Sequence, residues 1–270
     1  IVSANLRDID LGTAVQEVQE MVAESPLGAD VAMAAAIPEV DVVHAHTWYA
    51  QFAGIIAGQY DIVVAGGVES MSRNPMGSSS MGKVPYGEKF LARYDNTKPN
   101  QGVGAEMIAE RWGFDREAMD SFALLSHERA AAATDSGAFE SQIVPVETEH
   151  GLITTDEGIR RGGTLEKLGK LSTVFKEDGV VTAGNASQIS DGSAALLMMS
   201  SDRAKQLGLK PLVRVNTAVL AGSDPVIMLT APIPATQKAL KKSGLKVDDI
   251  GTFEVNEAFA AVVLRFMQAF

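Results

Sequence analysis

Apolar runs of strand length alternate with longer amphipathic stretches over much of the chain. Residues 61–65 are a β-branched apolar run, which predicts a buried parallel strand that Gly66 and Gly67 terminate. Further strands are predicted over residues 194–199, 212–220 and 250–255. Strands that alternate with helices in this way indicate an α/β core.

Apolar spacing and end signals also predict the helices. Asp115 can cap the longest of them, and its apolar face would carry Met119, Phe122 and Leu125 before a stop at Gly137. The other helices are predicted up to residue 57 and over residues 105–112, 202–206, 232–242 and 258–270, most of them followed by a glycine. Because residues 72–188 hold mainly loops and helices, the α/β core is predicted to contain an inserted lobe.

The composition is that of an ordinary globular protein, with 46% hydrophobic and 21% charged residues. The net charge of −11 argues against nucleic-acid binding. No run is apolar and long enough to predict a membrane span, and no leader sequence is evident, so a cytoplasmic protein is expected. The 270 residues contain no cysteine, which excludes disulfides, thiolate metal sites and a cysteine nucleophile within them.

Positive charge is concentrated in one segment of this acidic chain. Residues 158–176, here called the basic segment, hold Arg160, Arg161, Lys167, Lys170 and Lys176 against the single acid Glu166. A solvated surface is the ordinary interpretation of such a run. The alternative is a local site for an anionic small molecule such as a nucleotide or a phosphate-bearing cofactor.

The stretch "EVNEAFAA" (residues 254–261) places Asn256 and Glu257 between a predicted strand and a predicted helix. An asparagine is a good helix N-cap, and a glutamate in the first turn suits the helix dipole. A polar side chain at the carboxyl end of a strand is also a frequent ligand contact in α/β proteins. The octapeptide alone leaves both interpretations open.

Six stretches, taken together and in this order, resemble the thiolase family of acyl-CoA acyltransferases. They are "DIVVAGGVESMSR" (61–73), "AEMIAERWG" (105–113), "DEGIRRGGTLEKLGKL" (156–171), "VTAGNASQISDGSAALL" (181–197), "DPVIMLTAPIPATQKAL" (224–240) and "FEVNEAFAAVVL" (253–264). The resemblance implies a thiolase-like layered α/β fold with two related halves and an inserted loop domain that covers coenzyme A. The N-terminal half would comprise residues 1–71 and 189–210, the loop domain residues 72–188, and the beginning of the C-terminal half residues 211–270.

The resemblance also implies roles for individual residues. Asn256 matches the asparagine whose amide holds a water that helps to bind the thioester oxygen as it gains negative charge. The residues that match coenzyme A or acyl-chain contacts are Arg160, Phe175, Ala183, Ser187, Met228, Ala258 and Phe259. Core filling is a nearly equal alternative for Met228. Coenzyme A and acyl-CoA would be substrates, with no permanently bound cofactor and no metal, and the protein would form a homodimer or a dimer of dimers.

The chain departs from the family where the chemistry is expected. A cysteine nucleophile should lie between Pro38 and Gln51, and the histidine that activates it and a second cysteine should follow residue 270. We therefore expect that loops and a C-terminal part are missing from the sequence. The alternative is a catalytically inactive acyl-CoA-binding or regulatory subunit, and a condensing enzyme that uses acyl carrier protein is a weaker third.

None of the four histidines matches the family's catalytic histidine. His44 and His46 would share one face of a strand, but no further ligand lies near them in the sequence. His127 is predicted to be exposed on its helix, and His150 to lie in a loop. His44 and His46 could contact substrate or a metal, but they are interpreted as ordinary structural residues.

Overall fold

The structure, a computed structural model, describes residues 60–270. The elements, numbered in chain order, are β1 (Ile62–Glu69), α1 (Glu88–Arg93), α2 (Gln101–Trp112), α3 (Arg116–Asp135), β2 (Val146–Thr148), β3 (Gly151–Ile153), α4 (Leu165–Gly169), β4 (Gly192–Met199), α5 (Ser201–Gln206), α6 (Pro232–Ser243) and α7 (Ala260–Ala269). Short 3-10 helices occur at Ser78–Ser80 and Val247–Asp249. Predictions for the helix ending at residue 57, for His44 and His46 and for the interval 38–51 lie outside the described residues.

The chain divides into two compact units. Of the described residues, 60–76 and Ser190–Lys210 form the strand unit, and Gly77–Ile189 and Pro211–Phe270 form the helical unit. The domain limits expected from the sequence, at residues 71, 188 and 210, remain predictions.

In the strand unit, β1 pairs with β4 in an antiparallel ladder that runs from Ile62 opposite Met199 to Glu69 opposite Gly192. Among residues 60–270 the partner of this strand is antiparallel and not parallel, and the prediction of a buried strand ended by Gly66 is wrong in length and burial. β1 continues to Glu69, and Ala65 is its only buried residue. The apolar run correctly predicted a strand, but direction and burial depend on neighbouring strands, which a local pattern does not specify.

The loop after β1 is fastened to the start of β4 by Asp191. The N–H of Ser72 donates to Asp191 Oδ1 at 2.8 Å, and the Ser72 hydroxyl donates to Asp191 Oδ2. These hydrogen bonds favour the ionised carboxylate and hold the pKa of Asp191 below its usual range.

Asp191→Asn is expected to produce a small decrease in Tm at pH 7, because the carboxylate is solvent-accessible and the amide accepts hydrogen bonds less well. A lowered pKa means that the contribution is complete above the ordinary pKa and is lost as the pH falls through the lowered one. The difference in Tm between the two proteins should therefore vanish in strong acid. A difference that persists unchanged at the lowest pH would contradict the assignment.

The helical unit contains most of the described core. Its buried apolar residues come from α2, α3 and α7 and from two loops, and they are Ala105, Ile108, Ala109, Met119, Val181, Ile227, Phe259, Ala260, Ala261 and Val262. The segment 175–189 and the approach to α7 both border this cluster, so the core supports the surface on which most of the predicted site residues lie.

Helix ends follow the sequence closely in this unit. The Asp115 carboxylate accepts from the N–H of Ala118 at 2.8 Å at the start of α3, as predicted. α2 ends before Gly113 and α6 before Gly244, whose φ angles of 74° and 75° favour glycine. The predicted stop at Gly137 is close, because α3 ends at Asp135.

Two strand predictions in the helical unit are wrong. Residues 212–220 and 250–255 have no strand assignment, and neither segment finds a ladder partner among the described residues. A segment rich in residues of high strand propensity does not form a strand unless another strand supplies its hydrogen-bond partners. Residues 258 and 259 also precede α7 rather than opening it.

Candidate coenzyme A site

The segment 182–187 forms a hydrogen-bonded turn followed by a short bridge to the residues before α7. The N–H of Ser187 donates to the carbonyl of Ala258 at 3.0 Å, and Ala186 pairs with Phe259 in an isolated antiparallel bridge. Two predicted site residues, Ser187 and Ala258, are thereby brought into contact although about 70 positions separate them.

Phe175 and Phe259 form an aromatic corner beside this bridge. Their ring centroids lie 6.0 Å apart with an interplanar angle of 81°, an edge-to-face arrangement. Phe259 is only 8% exposed, whereas Phe175 is 36% exposed and presents part of its ring to solvent. A Cβ added at Gly102 would lie 2.3 Å from the Phe175 ring, so a glycine is required for the ring to pack against α2.

Arg160 reaches the same region from the basic segment. Its guanidinium donates to Gln188 Oε1 at 3.2 Å, and its backbone N–H donates to His127 Nδ1 at 3.3 Å. His127 is half-buried, so the prediction that it is exposed is wrong. Because Gln188 directly follows Ser187, this hydrogen bond brings Arg160 close to the predicted site residue Ser187.

The cations of the basic segment differ in how their charge is compensated. Arg161 forms a two-point ion pair with Asp135, at 2.9 and 2.7 Å, and the hydrogen bond from Arg161 lowers the pKa of Asp135. Lys170 pairs with Glu166 at 2.6 Å and Lys176 with Glu110 at 3.1 Å. In residues 60–270, Arg160 hydrogen-bonds only neutral groups. Its charge therefore remains available to an anionic ligand.

A cleft of about 180 Å³ with both polar and apolar lining opens between α3 and the bridge. Its polar lining includes Ser126, His127, Ser187, Gln188 and Glu257, and its apolar lining includes Phe122, Ala123 and Ala260. The Ser126 hydroxyl donates to Glu257 Oε2 at 2.7 Å, which ties α3 to the residues before α7. The sequence motifs assign no site role to Ser126, Gln188 or Glu257, although Glu257 directly follows Asn256.

Asn256 is exposed and lies three residues before the residue that precedes α7. The N-cap interpretation is wrong, because Phe259 occupies that position and makes no side-chain cap. The structure also places Glu257 before the helix rather than in its first turn. Asn256 therefore lies beside the cleft residue Glu257 with no helix-capping role.

Ala183 and Met228 lie at two further turns. Ala183 is exposed at the tip of the turn that closes from Asn185 N–H to the Thr182 carbonyl at 3.3 Å. Met228 has a φ of 38°, which is rare for a side chain of its size, and its carbonyl accepts from the Ser223 hydroxyl at 3.1 Å. Met228 is half-buried, and its neighbours Ile227 and Leu229 belong to or pack against the core cluster, so both interpretations of Met228 stay predictions.

Two buried carboxylates hold the segment on which Ala183 and Ser187 lie. Both oxygens of Glu106 accept from Val180 N–H, at 3.1 and 2.9 Å, and Glu106 Oε1 also accepts from Val181 N–H at 2.8 Å. Asp120, 2% exposed, accepts from the Asn185 amide at 2.8 Å. Neither carboxylate was predicted from the sequence, although a polar residue within an apolar helix face is the signal that indicates one.

No three histidine, aspartate or glutamate side chains between residues 60 and 270 lie close enough together to hold a metal ion. In the same range, no helix combines the length and the apolar character that a membrane crossing needs.

Comparison with known proteins identifies the family. The family model for the thiolase N-terminal domain matches residues 5–202, and the model for the thiolase C-terminal domain matches residues 209–270. The chain belongs to the thiolase family. The six matching stretches had predicted this membership correctly.

The chain is similar to several thiolases over most of its own length. It is 44% identical over 222 residues to a steroid 3-ketoacyl-CoA thiolase of Mycobacterium tuberculosis, covering 79% of this chain and 54% of the relative. It is 43% identical over 225 residues to a probable acetyl-CoA acyltransferase of Staphylococcus aureus, covering 78% and 57%. The chain thus spans little more than half the length of these relatives.

Solved structures show the same fold. An acetyl-CoA acetyltransferase from Syntrophomonas wolfei aligns with a TM-score of 0.69 at 38% identity, covering 82% of this chain and 58% of the other. The human mitochondrial 3-ketoacyl-CoA thiolase, solved in complex with CoA, aligns with a TM-score of 0.71 at 35% identity and the same coverage. The prediction of a thiolase-like α/β fold is confirmed.

Proposed function

We propose that this chain provides the coenzyme A-binding surface and the oxyanion asparagine of an acyl-CoA C-acyltransferase of the thiolase type. The reaction would be cleavage of a 3-ketoacyl-CoA by CoA, or its reverse, through an acyl-cysteine that lies outside these 270 residues. The observation that carries the proposal is the contact of Ser187 with Ala258, because it joins two motifs that match coenzyme A contacts. The neighbouring aromatic corner and Arg160 extend this surface.

Each part of the surface suits one part of coenzyme A. Arg160 would contact the nucleotide and phosphate end, because an uncompensated guanidinium binds phosphate by charge-assisted hydrogen bonds. Phe175 would pack on the nucleotide side, and Ala183 and Ser187 would contact the pantetheine chain. Ala258, Phe259 and Met228 would line the path of the acyl group. Coenzyme A would act as substrate, with no permanently bound cofactor.

A second candidate is an acyl-CoA-binding or regulatory subunit without catalysis. The absence of cysteine from these 270 residues is the observation that favours it. The protein expressed from its complete reading frame distinguishes the two. A thiolase should be alkylated rapidly by iodoacetamide at one cysteine, be protected by acetyl-CoA, and cleave acetoacetyl-CoA when CoA is added. Binding of CoA without alkylation or turnover would establish the subunit, and a protein that binds no CoA would overturn both.

Arg160→Ala is expected to raise the Kd for CoA about 3–10-fold, the effect of removing an exposed charge pair with phosphate. The increase should shrink at high salt, because screening already weakens the contact in the parent protein. Titration calorimetry at two salt concentrations measures both effects.

Arg161→Ala is the matched control, since Arg161 is the adjacent residue and its charge is taken up by Asp135. This variant removes the same net charge but should change the Kd by less than about twofold. Equal effects of the two substitutions would show that only long-range charge matters and would remove Arg160 from the site.

The cytoplasmic location, the homo-oligomer and the lack of nucleic-acid binding expected from the sequence stay predictions.

A further inference from the structure

One buried polar network connects four segments of the helical unit. Arg116 Nε donates to Asp120 Oδ2 at 2.7 Å, and the Asn185 amide donates to Asp120 Oδ1 at 2.8 Å. Asp120 and Asn185 are only 2% and 3% exposed. Arg116 also donates to the carbonyl of Leu168, and to that of Leu171 at 3.2 Å. The network therefore begins at the end of α4 and crosses α3 to reach the turn at Asn185.

Asn185 uses its side chain and its backbone to fix the far end of the network. Its Oδ1 accepts from Thr182 N–H at 2.9 Å, and its amide also donates to the Val180 carbonyl at 2.9 Å. Its own carbonyl accepts from Ala260 N–H at 3.0 Å, the first residue of α7. The side chain of Asn185 thus sets the shape of the 182–185 turn, and its backbone carbonyl sets the distance from that turn to α7.

The groups that Asn185 fixes are neighbours of the proposed coenzyme A contacts. Ala183 lies inside the turn, Ser187 lies two residues after Asn185, and Phe259 precedes Ala260. Asp120 and Asn185 are buried and cannot touch coenzyme A directly, and the guanidinium of Arg116, whose side chain is 24% exposed, is hydrogen-bonded to Asp120, Leu168 and Leu171. The effect of Asp120 and Asn185 on binding must therefore pass through the backbone that they hold.

We propose that Arg116, Asp120 and Asn185 are positioning residues that set the geometry of the coenzyme A surface at Ala183, Ser187 and Phe259. The proposal rests on the proposed coenzyme A-binding function. The carboxylate is essential to the arrangement because both of its neighbours, Arg116 Nε and the Asn185 amide, are donors. Only a group with two acceptor oxygens satisfies both, since an amide has one acceptor and one donor.

Asp120→Asn is therefore expected to lose one of the two hydrogen bonds while keeping the side-chain shape. The Kd for CoA should rise about tenfold. Hydrogen exchange should accelerate at the amides of Thr182 and Ala260, which report the position of the turn without reference to CoA. Ile108→Ala is the control, because Ile108 is fully buried in the same core but outside the network. It should lower Tm and leave the Kd for CoA within about twofold.

Asn185→Asp places a second carboxylate against Asp120 and against the Val180 carbonyl, so its binding of CoA should be weaker than that of Asp120→Asn. The double variant Asp120→Asn/Asn185→Asp restores one donor–acceptor pair and should recover part of the lost affinity. Should Asn185→Asp fail to fold, the comparison of Asp120→Asn with the parent and with Ile108→Ala still tests the positioning role.

Three results would overturn the proposal. The first is an unchanged Kd for CoA in Asp120→Asn, and the second is an equal increase of that Kd in Ile108→Ala. The third is a folded Asn185→Asp variant whose lost affinity for CoA is not recovered at all in the double variant Asp120→Asn/Asn185→Asp. Each leaves the parent's binding of CoA, and hence the proposed function, intact. A parent protein that binds no CoA would instead overturn both proposals together.

Discussion

Asn256→Asp is expected to lower kcat for acetoacetyl-CoA cleavage about 10²–10³-fold, the usual effect of losing one donor to a developing oxyanion. The carboxylate keeps the size of the amide but replaces its donor by negative charge where the thioester oxygen gains negative charge. Because Asn256 is exposed and does not cap α7, its replacement should leave Tm nearly unchanged. The measurement is steady-state kinetics with the protein from its complete reading frame, together with a thermal melt.

Asn216→Asp provides the control for added charge. Asn216 is exposed and accepts from the neighbouring Thr217 hydroxyl at 2.8 Å, a contact that an aspartate retains. This variant should show the kcat of the parent. A near-normal kcat in Asn256→Asp would remove Asn256 from the oxyanion site, and a large decrease in both variants would point to net charge instead.

Glu106→Ala is expected to lower the free energy of unfolding by about 2–4 kcal/mol, because two backbone donors lose their acceptor. Val181 N–H is buried and Val180 N–H half-buried, and neither has another partner than the Glu106 carboxylate in residues 60–270. The side chain is tightly enclosed, since a Cβ added at Gly179 would lie 2.1 Å from Glu106 Oε1. Urea denaturation measures the loss.

Glu110→Ala is the matched control one turn further along α2. Glu110 is exposed, and within the described range 60–270 it pairs only with Lys176, at 3.1 Å, so its removal should cost less than about 1 kcal/mol. The two variants remove the same charge from the same helix. Equal losses would contradict the assignment of Glu106 as the acceptor that holds residues 180 and 181.

The sequence predicted the helices of the helical unit more successfully than the strands. Asp115, Gly113 and Gly244 mark helix ends through interactions within a few residues, and the structure confirms all three. Residues 212–220 and 250–255 have strand-like composition, but a strand also requires a partner that lies elsewhere in the chain. The antiparallel pairing of β1 was not predicted for the same reason, since β4 is its partner from about 130 residues away.

The candidate site was predictable as a set of residues but not as an arrangement. Matching motifs selected Arg160, Ser187, Ala258 and Phe259, and the structure places their segments together. The same motifs gave no role to Asp120 or Glu106, because their importance comes from the backbone donors that they meet after folding. The N-cap interpretation of Asn256 failed since three further residues precede the helix.

The sequence by itself determined the thiolase family, several helix ends and the residues proposed to bind coenzyme A, because these depend on motifs and on local backbone preferences. Only the tertiary structure decided which cations of the basic segment pair with a carboxylate in residues 60–270 and which, like Arg160 and Lys167, meet only neutral groups there. Arg161 faces Asp135 and Lys176 faces Glu110, whereas Arg160 meets the neutral Gln188. These partners are 26–66 positions away in the chain. Charge compensation depends on distance in space, and only packing brings such distant side chains together.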